Sequence, residues 1–301
     1  MNHRIASARN FLLGVRNPCG AWPYRRGQQS SPEPTCYGLL ALASTEGQPA
    51  PETARDAALG WLASRVGPQG ALVLEGDDEP HWSTSLLVIT LTRLGCQLEL
   101  QQKAARFLLR WSGEETSKIT EVTLDGTLHG WPWISGTFSW VEPTCYALLA
   151  LKLVGQSQHP RVIEAERMLV DRACQDGGWN YGNRVIYGAS LHGFLSSTAL
   201  AALALQDVTA AREAINRGLA FLEREIKNHQ SSLTLALTIL CFHAFARPVA
   251  DLVAALESRQ ESDGSWRQQI HQTALAVLAL QAAAGGSNIF MLPRSGAKAA
   301  S

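Results

Sequence analysis

Glu33-Pro34-Thr35-Cys36-Tyr37-Gly38-Leu39-Leu40-Ala41-Leu42 returns almost letter for letter as Glu142-Pro143-Thr144-Cys145-Tyr146-Ala147-Leu148-Leu149-Ala150-Leu151. A near-identical segment within one chain is the mark of a repeat architecture. Anchored on the hydroxyl residue, four weaker copies align, starting at Thr84, Thr198, Ser232 and Thr273. The six anchors are 49, 60, 54, 34 and 41 residues apart. Each anchor is followed by an apolar run with large residues four, five and seven positions on, a helical spacing. The runs are apolar nearly all round, so each predicts a helix buried on most sides. The Ser or Thr belongs to the helix start, where Pro34 and Pro143 also fit.

A second, amphipathic helix follows most copies: 51–66, 98–111, 160–173, 210–226 and 248–259, with Arg, Glu and Gln on one face. A further helix over 4–15 opens the chain, and 120–124 is the one short strand candidate. Outer and inner helices are joined by turns rich in Gly and Trp: Pro18-Cys19-Gly20-Ala21-Trp22, Asp176-Gly177-Gly178-Trp179 and Asp263-Gly264-Ser265-Trp266. The turn at Pro68-Gln69-Gly70-Ala71 lacks its Trp. Gly suits the left-handed corner of such a turn, and the Trp reads as a plug between helix pairs. Alternating buried and amphipathic helices close as an open solenoid or as a ring. A solenoid leaves its inner row half exposed, so all-round apolarity predicts an all-α (α/α)6 toroid. It spans residues 1–286 as a single domain, with 287–301 as a flexible tail.

Composition narrows the function. Lys and Arg total 26 and Asp and Glu total 26, and this balance argues against the basic face of a nucleic-acid binder. Charged residues make up 17% and apolar residues 46%, which gives a large core and excludes disorder. Phe11-Leu12-Leu13 is too short for a signal sequence core, and no run approaches the ~20 apolar residues of a membrane span. The expectation is a cytoplasmic protein without a transmembrane segment, for which peripheral contact with a membrane stays compatible. The six cysteines stand singly with no CxxC pair, which predicts buried thiols rather than disulfides.

Asp-Gly-Gly-Trp turns before Thr-Ala-Leu-Ala-x-Leu-Ala-Leu helices resemble the repeats of squalene-hopene cyclases and protein prenyltransferase β subunits. The resemblance covers roughly residues 5–285. It implies a toroid whose inner-helix N-termini face a cavity for isoprenoid chains. The cyclase acid motif Asp-x-Asp-Asp-Thr is absent, but the position two before the Thr holds Glu33 and Glu142. A lone Glu is a weak acid, and burial weakens it further. The resemblance therefore implies ordinary acid–base chemistry rather than direct alkene protonation. The prenyltransferase zinc set is broken: Cys36 and Cys145 fit, Pro34 and Pro143 replace the Asp, and His271 is one residue early. No metal and no cofactor is expected. The Asp-Asp-x-x-Asp of class I terpene synthases would need an Asp at His81.

By register, the rim collects Glu33, His81-Trp82, Glu142, Ser196, His229-Gln230 and His271-Gln272. Glu142, Glu33, His271 and His81 are the catalytic candidates, against the competing reading that Glu near a helix start only caps it. Residues 128–140 carry Trp131, Trp133 and Trp140, and with Trp82 they are candidate ligand walls through their π faces. A loop over 181–194 adds Tyr187 and Arg184, the latter suited to a diphosphate or carboxylate. Three functions stand side by side. The first is a terpenoid cyclase- or prenyltransferase-like protein acting on an apolar, isoprenoid-type small molecule. The second is a non-catalytic toroid binding a ligand or partner. The third is a glycan-active toroid working with paired Glu.

Overall fold

The computed structural model describes residues 3–43, 51–115, 124–228 and 231–293. Twelve α-helices are described: α1 (His3–Gly14), α2 (Pro32–Ala43), α3 (Glu52–Ser64), α4 (Ser83–Leu94), α5 (Leu98–Arg110), α6 (Val141–Leu153), α7 (Pro160–Asp171), α8 (Leu195–Leu205), α9 (Arg212–Glu225), α10 (Ser232–Ala244), α11 (Ala250–Glu257) and α12 (Ile270–Ala283). The even-numbered helices form the inner row. Each packs on the next, α2 on α4, α4 on α6, α6 on α8, α8 on α10 and α10 on α12, and α12 packs back on α2. That last contact closes the ring and decides toroid over solenoid. The odd-numbered helices lie outside, with α1 covering α12 and α2.

Burial follows the sequence pattern. In α6, Val141 and Pro143 through Lys152 are all buried. In the outer α5 only Ala104, Ala105, Phe107 and Leu108 are. Lys152 stands out in the inner row as a buried charged side chain. Its ammonium is buried at the end of α6, 2.8 Å from Glu166 Oε1 and 2.5 Å from Asp207 Oδ1, and it donates to Ala204 O. A buried cation needs such pairing.

One device recurs around the ring. Trp22, Trp131, Trp179 and Trp266 are fully buried. Each indole N–H donates to a carbonyl of the preceding outer helix: Leu12, Leu108, Leu169 and Leu256 respectively. Each backbone N–H donates to the hydroxyl of the anchor Thr on the following inner helix: Thr35, Thr144, Thr198 and Thr273. The anchor is therefore a first-turn residue that stitches its helix to the turn before it. The turn that lacks Trp keeps the stitch, because Leu72 N donates to Thr84 Oγ1 at 2.9 Å. At Gly177 (φ +97°) and Gly264 (φ +89°) the backbone is left-handed, and a Cβ would collide with Arg217 O and Ser7 O on the neighbouring outer helices. Glycine is thus required twice over, by conformation and by space.

One expectation shifts and another lies outside the described residues. The strand candidate at 120–124 falls almost wholly on residues outside the described ones. The described strands are a small hairpin, β1 (Val185–Ile186) and β2 (Ala189–Ser190). Beyond the expected boundary at 286, Asn288, Ile289, Phe290 and Leu292 are buried, so this stretch packs on the ring as far as Leu292. It crosses the C-terminal ends of the inner helices. Asn288 Nδ2 donates to Leu240 O, Gln206 Nε2 to Phe290 O, and Arg93 to Ile289 O and Met291 O.

Candidate functional site at the N-terminal rim of the ring

The inner helices begin at one end of the ring, and their first turns bring the duplicated carboxylates together. Glu33 and Glu142 are half-buried and close enough to repel each other when ionised. Burial pushes the Glu33 carboxyl up to about 7; a hydrogen bond from Tyr24 opposes the rise and Glu142 adds to it. The Tyr24 phenol donates to Glu33 Oε2. Glu142 is also raised by burial, against hydrogen bonds from Ser197 and Ser196. Ser197 Oγ donates to Glu142 Oε1 at 2.8 Å. Both groups thus combine partial desolvation with a hydrogen-bond donor, the combination expected of acid–base residues.

His271 lies beside Tyr24. Its ring meets Tyr24 edge-on at 5.3 Å, and Ile270 N donates to Tyr24 O. Its Nδ1 is buried without a hydrogen-bond partner. Burial pushes its pKa, and that of His81, down to about 4, so both rings are neutral at pH 7. His81 is engaged locally, with its Nδ1 2.8 Å from Ser83 Oγ at the start of α4. His229 and Gln230 lie outside the described residues.

The aromatic candidates divide. Trp82 is nearly buried and packs edge-on against half-buried Trp133 at 5.3 Å, and its backbone N–H donates to Trp133 O. Its ring also lies 4.9 Å from Tyr146. Trp82 and Trp133 therefore pack as one aromatic unit that continues to Tyr146 on the inner ring. Trp131 does not: it is the plug of its repeat, fully buried, with Arg161 4.8 Å from its ring. Trp140 is half-buried at the head of α6, and its amide donates to Trp131 O. Arg184 pairs with Asp171 on outer helix α7 at 3.6 Å, so its charge is already engaged. Tyr187 sits at the tip of the hairpin, 81% exposed, away from any wall.

Sequence reasoning missed three groups. Tyr24 sits in an irregular turn with no helical register to mark it. Tyr37 and Tyr146 were on view in the duplicated segment, yet only the ring shows that their hydroxyls meet at 2.7 Å. Phe290, fully buried, packs edge-on against Tyr146 at 6.1 Å. Among the described residues no group of three or more His, Cys, Asp or Glu is placed to hold a metal ion. Cys36 and Cys145 are buried in apolar surroundings that push their thiols up, away from the thiolate form a metal prefers. Among those residues, too, no helix is long and apolar enough to cross a membrane.

Comparison with solved structures matches this architecture to the type II terpene cyclase MstE from Scytonema, at 17% identity over 94% of this chain and 98% of that one, TM-score 0.62. The fold is that of the type II terpene cyclases. A single-substitution variant of MstE has also been solved with geranylgeranyl dihydroxybenzoate, its substrate. The same toroid is shared with an alpha-1,6-mannanase from Salegentibacter sp. HEL1_6, at 12% identity over 93% and 98% of the two chains, TM-score 0.66. The fold alone therefore does not choose between chemistries. In sequence, the chain is 33% identical over 183 residues to drimenyl diphosphate synthase from Streptantibioticus cattleyicolor. That match covers 58% of this chain and 32% of the relative, so the chain spans about a third of that protein. No family model matches the chain. The terpene cyclase-like resemblance read from the repeats thus stands on both sequence and fold.

Proposed function

We propose that the rim is an acid–base site for an apolar, isoprenoid-type ligand, and that the protein acts on it as a terpene cyclase-like isomerase. The observation that carries this reading is the facing pair Glu33 and Glu142. They come from the two copies of one segment, at the register where the cyclases carry their acid, and Trp82 packs on Tyr146, four residues after Glu142. The relative named as a drimenyl diphosphate synthase supports the ligand class.

Glu33, at about 7, is partly protonated near neutral pH and is the proton donor. Glu142, held by two serine hydroxyls, is the acceptor. One proton enters the ligand from Glu33 and one leaves it to Glu142, so the net change is an isomerisation. An acid of this strength does not protonate a bare alkene. The reacting group is instead a polarised one, such as an epoxide or enol, where matched general acid–base help is effective. His271 and His81, neutral in this setting, shape the rim without adding charge.

The test is incubation with farnesyl diphosphate, geranylgeranyl diphosphate, squalene and the epoxides of these chains, with product analysis by mass spectrometry. Turnover by the wild type that disappears in Glu142→Gln and Glu33→Gln is the expected result. Neither turnover nor binding of any of these compounds sinks the isoprenoid reading. The side-chain-filled centre at Tyr37, Tyr146 and Phe290 favours a second reading, binding without reaction, which tight binding with no product in any assay would select.

A further inference from the structure

Seven large apolar side chains are exposed among the described residues, and five of them lie on two loops at the rim: Ile134 and Phe138 on 131–140, and Tyr181, Tyr187 and Phe194 on 179–194. We propose that this lip is where a second copy of the chain docks across a twofold axis, so that the protein is a homodimer in solution. The inference stands on the surface alone and holds whether or not the rim carries out chemistry. The two loops form one surface. Val141 N donates to Tyr181 O, Phe194 N donates to Trp179 O, and the Tyr181 and Phe194 rings lie 4.9 Å apart. Residues 130–141 contain no ionisable side chain. Over 179–194 the two groups able to carry positive charge are matched, Arg184 by Asp171 at 3.6 Å and His192 by Asp176 at 3.4 Å.

Tyr187 marks the lip as a contact. Its backbone is left-handed (φ +51°) at the tip of the β1–β2 hairpin. Such a tip favours Asn, Asp or Gly, and a bulky side chain there carries strain. The Tyr187 side chain takes part in no hydrogen bond or ring contact among the described residues, so nothing within one copy accounts for the ring. At ~200 Å² for a large side chain, the five exposed portions present roughly 600 Å² of apolar surface. A stable interface takes about 800 Å² from each partner, and in homodimers most of it is apolar. Half-buried Ser135 and Thr137 and exposed Ser190, on the same loops, add to the lip. With 26 basic and 26 acidic residues, the chain meets its own copy without net repulsion. β1 and β2 pair only with each other, so the hairpin has two outer edges without a strand partner. Antiparallel pairing of two identical edges has a twofold axis, which a second copy satisfies. A bilayer would leave polar backbone edges without hydrogen bonds, which favours the copy over a lipid surface. The lip runs directly into Val141 and Glu142 at the start of α6, so docking here brings the second copy over the Glu142 side of the rim.

Sedimentation equilibrium of the full chain across micromolar concentrations reads the mass, and wild type is expected to reach that of two chains. Phe138→Asp and Tyr187→Asp are each expected to weaken the dimer at least about tenfold, since each places a charge in an apolar contact. Leu98→Asp alters an exposed leucine on α5, outside the lip, and is expected to leave the dimer unchanged. Tyr187→Asn gives the sharpest signature. By relieving the left-handed strain it is expected to raise the melting temperature of the dilute monomer while weakening the dimer. It carries the test if an Asp variant fails to fold. Wild type at the mass of one chain throughout overturns the proposal. So does a dimer that the three lip variants leave intact, or one that Leu98→Asp breaks. Flotation with phosphatidylcholine vesicles covers the remaining outcome. A monomer that binds vesicles, and loses them in Phe138→Asp and Tyr187→Asp, assigns the lip to a lipid surface and likewise overturns the second copy.

Discussion

The N-termini of α2 and α6 carry the same five residues, Glu-Pro-Thr-Cys-Tyr, and the same stitch. Trp22 N donates to Thr35 Oγ1 and Trp131 N to Thr144 Oγ1. Arg16 lies 5.9 Å from the Trp22 ring and Arg161 4.8 Å from the Trp131 ring. Yet the two carboxylates differ. Glu33 takes its hydrogen bond from a phenol in the turn before its own helix, and Glu142 from a serine on the next inner helix. The backbone frame of the repeat is duplicated, but the chemistry at its tip is set by whichever neighbour the ring supplies. Two copies of one segment thereby present carboxylates with different hydrogen-bond partners.

The comparison can be broken most sharply at the carboxylates. Glu33→Gln and Glu142→Gln are each expected to lower turnover by about a hundredfold or more, the usual scale for losing a general acid or base. Steady-state rates check this, and a variant keeping wild-type rate would remove its Glu from the mechanism. Next come the two plugs. Trp22→Ala and Trp131→Ala should each cost about 3–5 kcal/mol in chemical denaturation, as deletion of a buried aromatic does. A loss of ligand affinity in Trp131→Phe at unchanged stability would return Trp131 to the ligand wall.

The stitches should behave as equals. Thr35→Val and Thr144→Val each leave a buried Trp N–H unbonded, at a cost of roughly 1–3 kcal/mol. Values far apart would mean that the two frames are not equivalent.

Glu33 also carries a pH signature. Its folded pKa of about 7 lies above the ordinary value of 4.5. The folded state holds this proton more tightly, so the contribution is fully present below 4.5 and is lost as pH rises through 7. Relative to Glu33→Gln, wild type should lose on the order of 2 kcal/mol across that window. Calorimetric melting at several pH values reads it, and parallel curves for the two proteins would refute the shift. The smallest effect is at the donors. Tyr24→Phe removes a bond that holds Glu33 down, and Ser197→Ala does the same for Glu142. Each should raise only its own carboxyl, seen as a shift of one limb of the pH–rate profile to higher pH.

Much of the scaffold was readable because it is periodic. Apolar runs at helical spacing gave all six inner helices, and the Gly-Trp turns gave their phase. The register two before the anchor Thr pointed to Glu33 and Glu142. The roles of the tryptophans were less readable, since a Trp that plugs a repeat and a Trp that packs on its neighbours outside the plug carry the same letter. Trp131 and Trp133 are two residues apart, yet one is the fully buried plug and the other is half-buried against Trp82. Arg184 reads as a ligand contact in the sequence because Asp171, its partner, lies on a different element.

Local spacing alone therefore determined that this chain alternates buried and amphipathic helices and repeats one carboxylate at two helix starts. Only the closed ring decided that Tyr37 meets Tyr146 across 109 residues of sequence, that Tyr24 holds Glu33, and that Phe290 returns to seal the far end. The physical reason is closure. A helix start is set by its own residues, but what a side chain touches in the middle of a ring is set by five other helices.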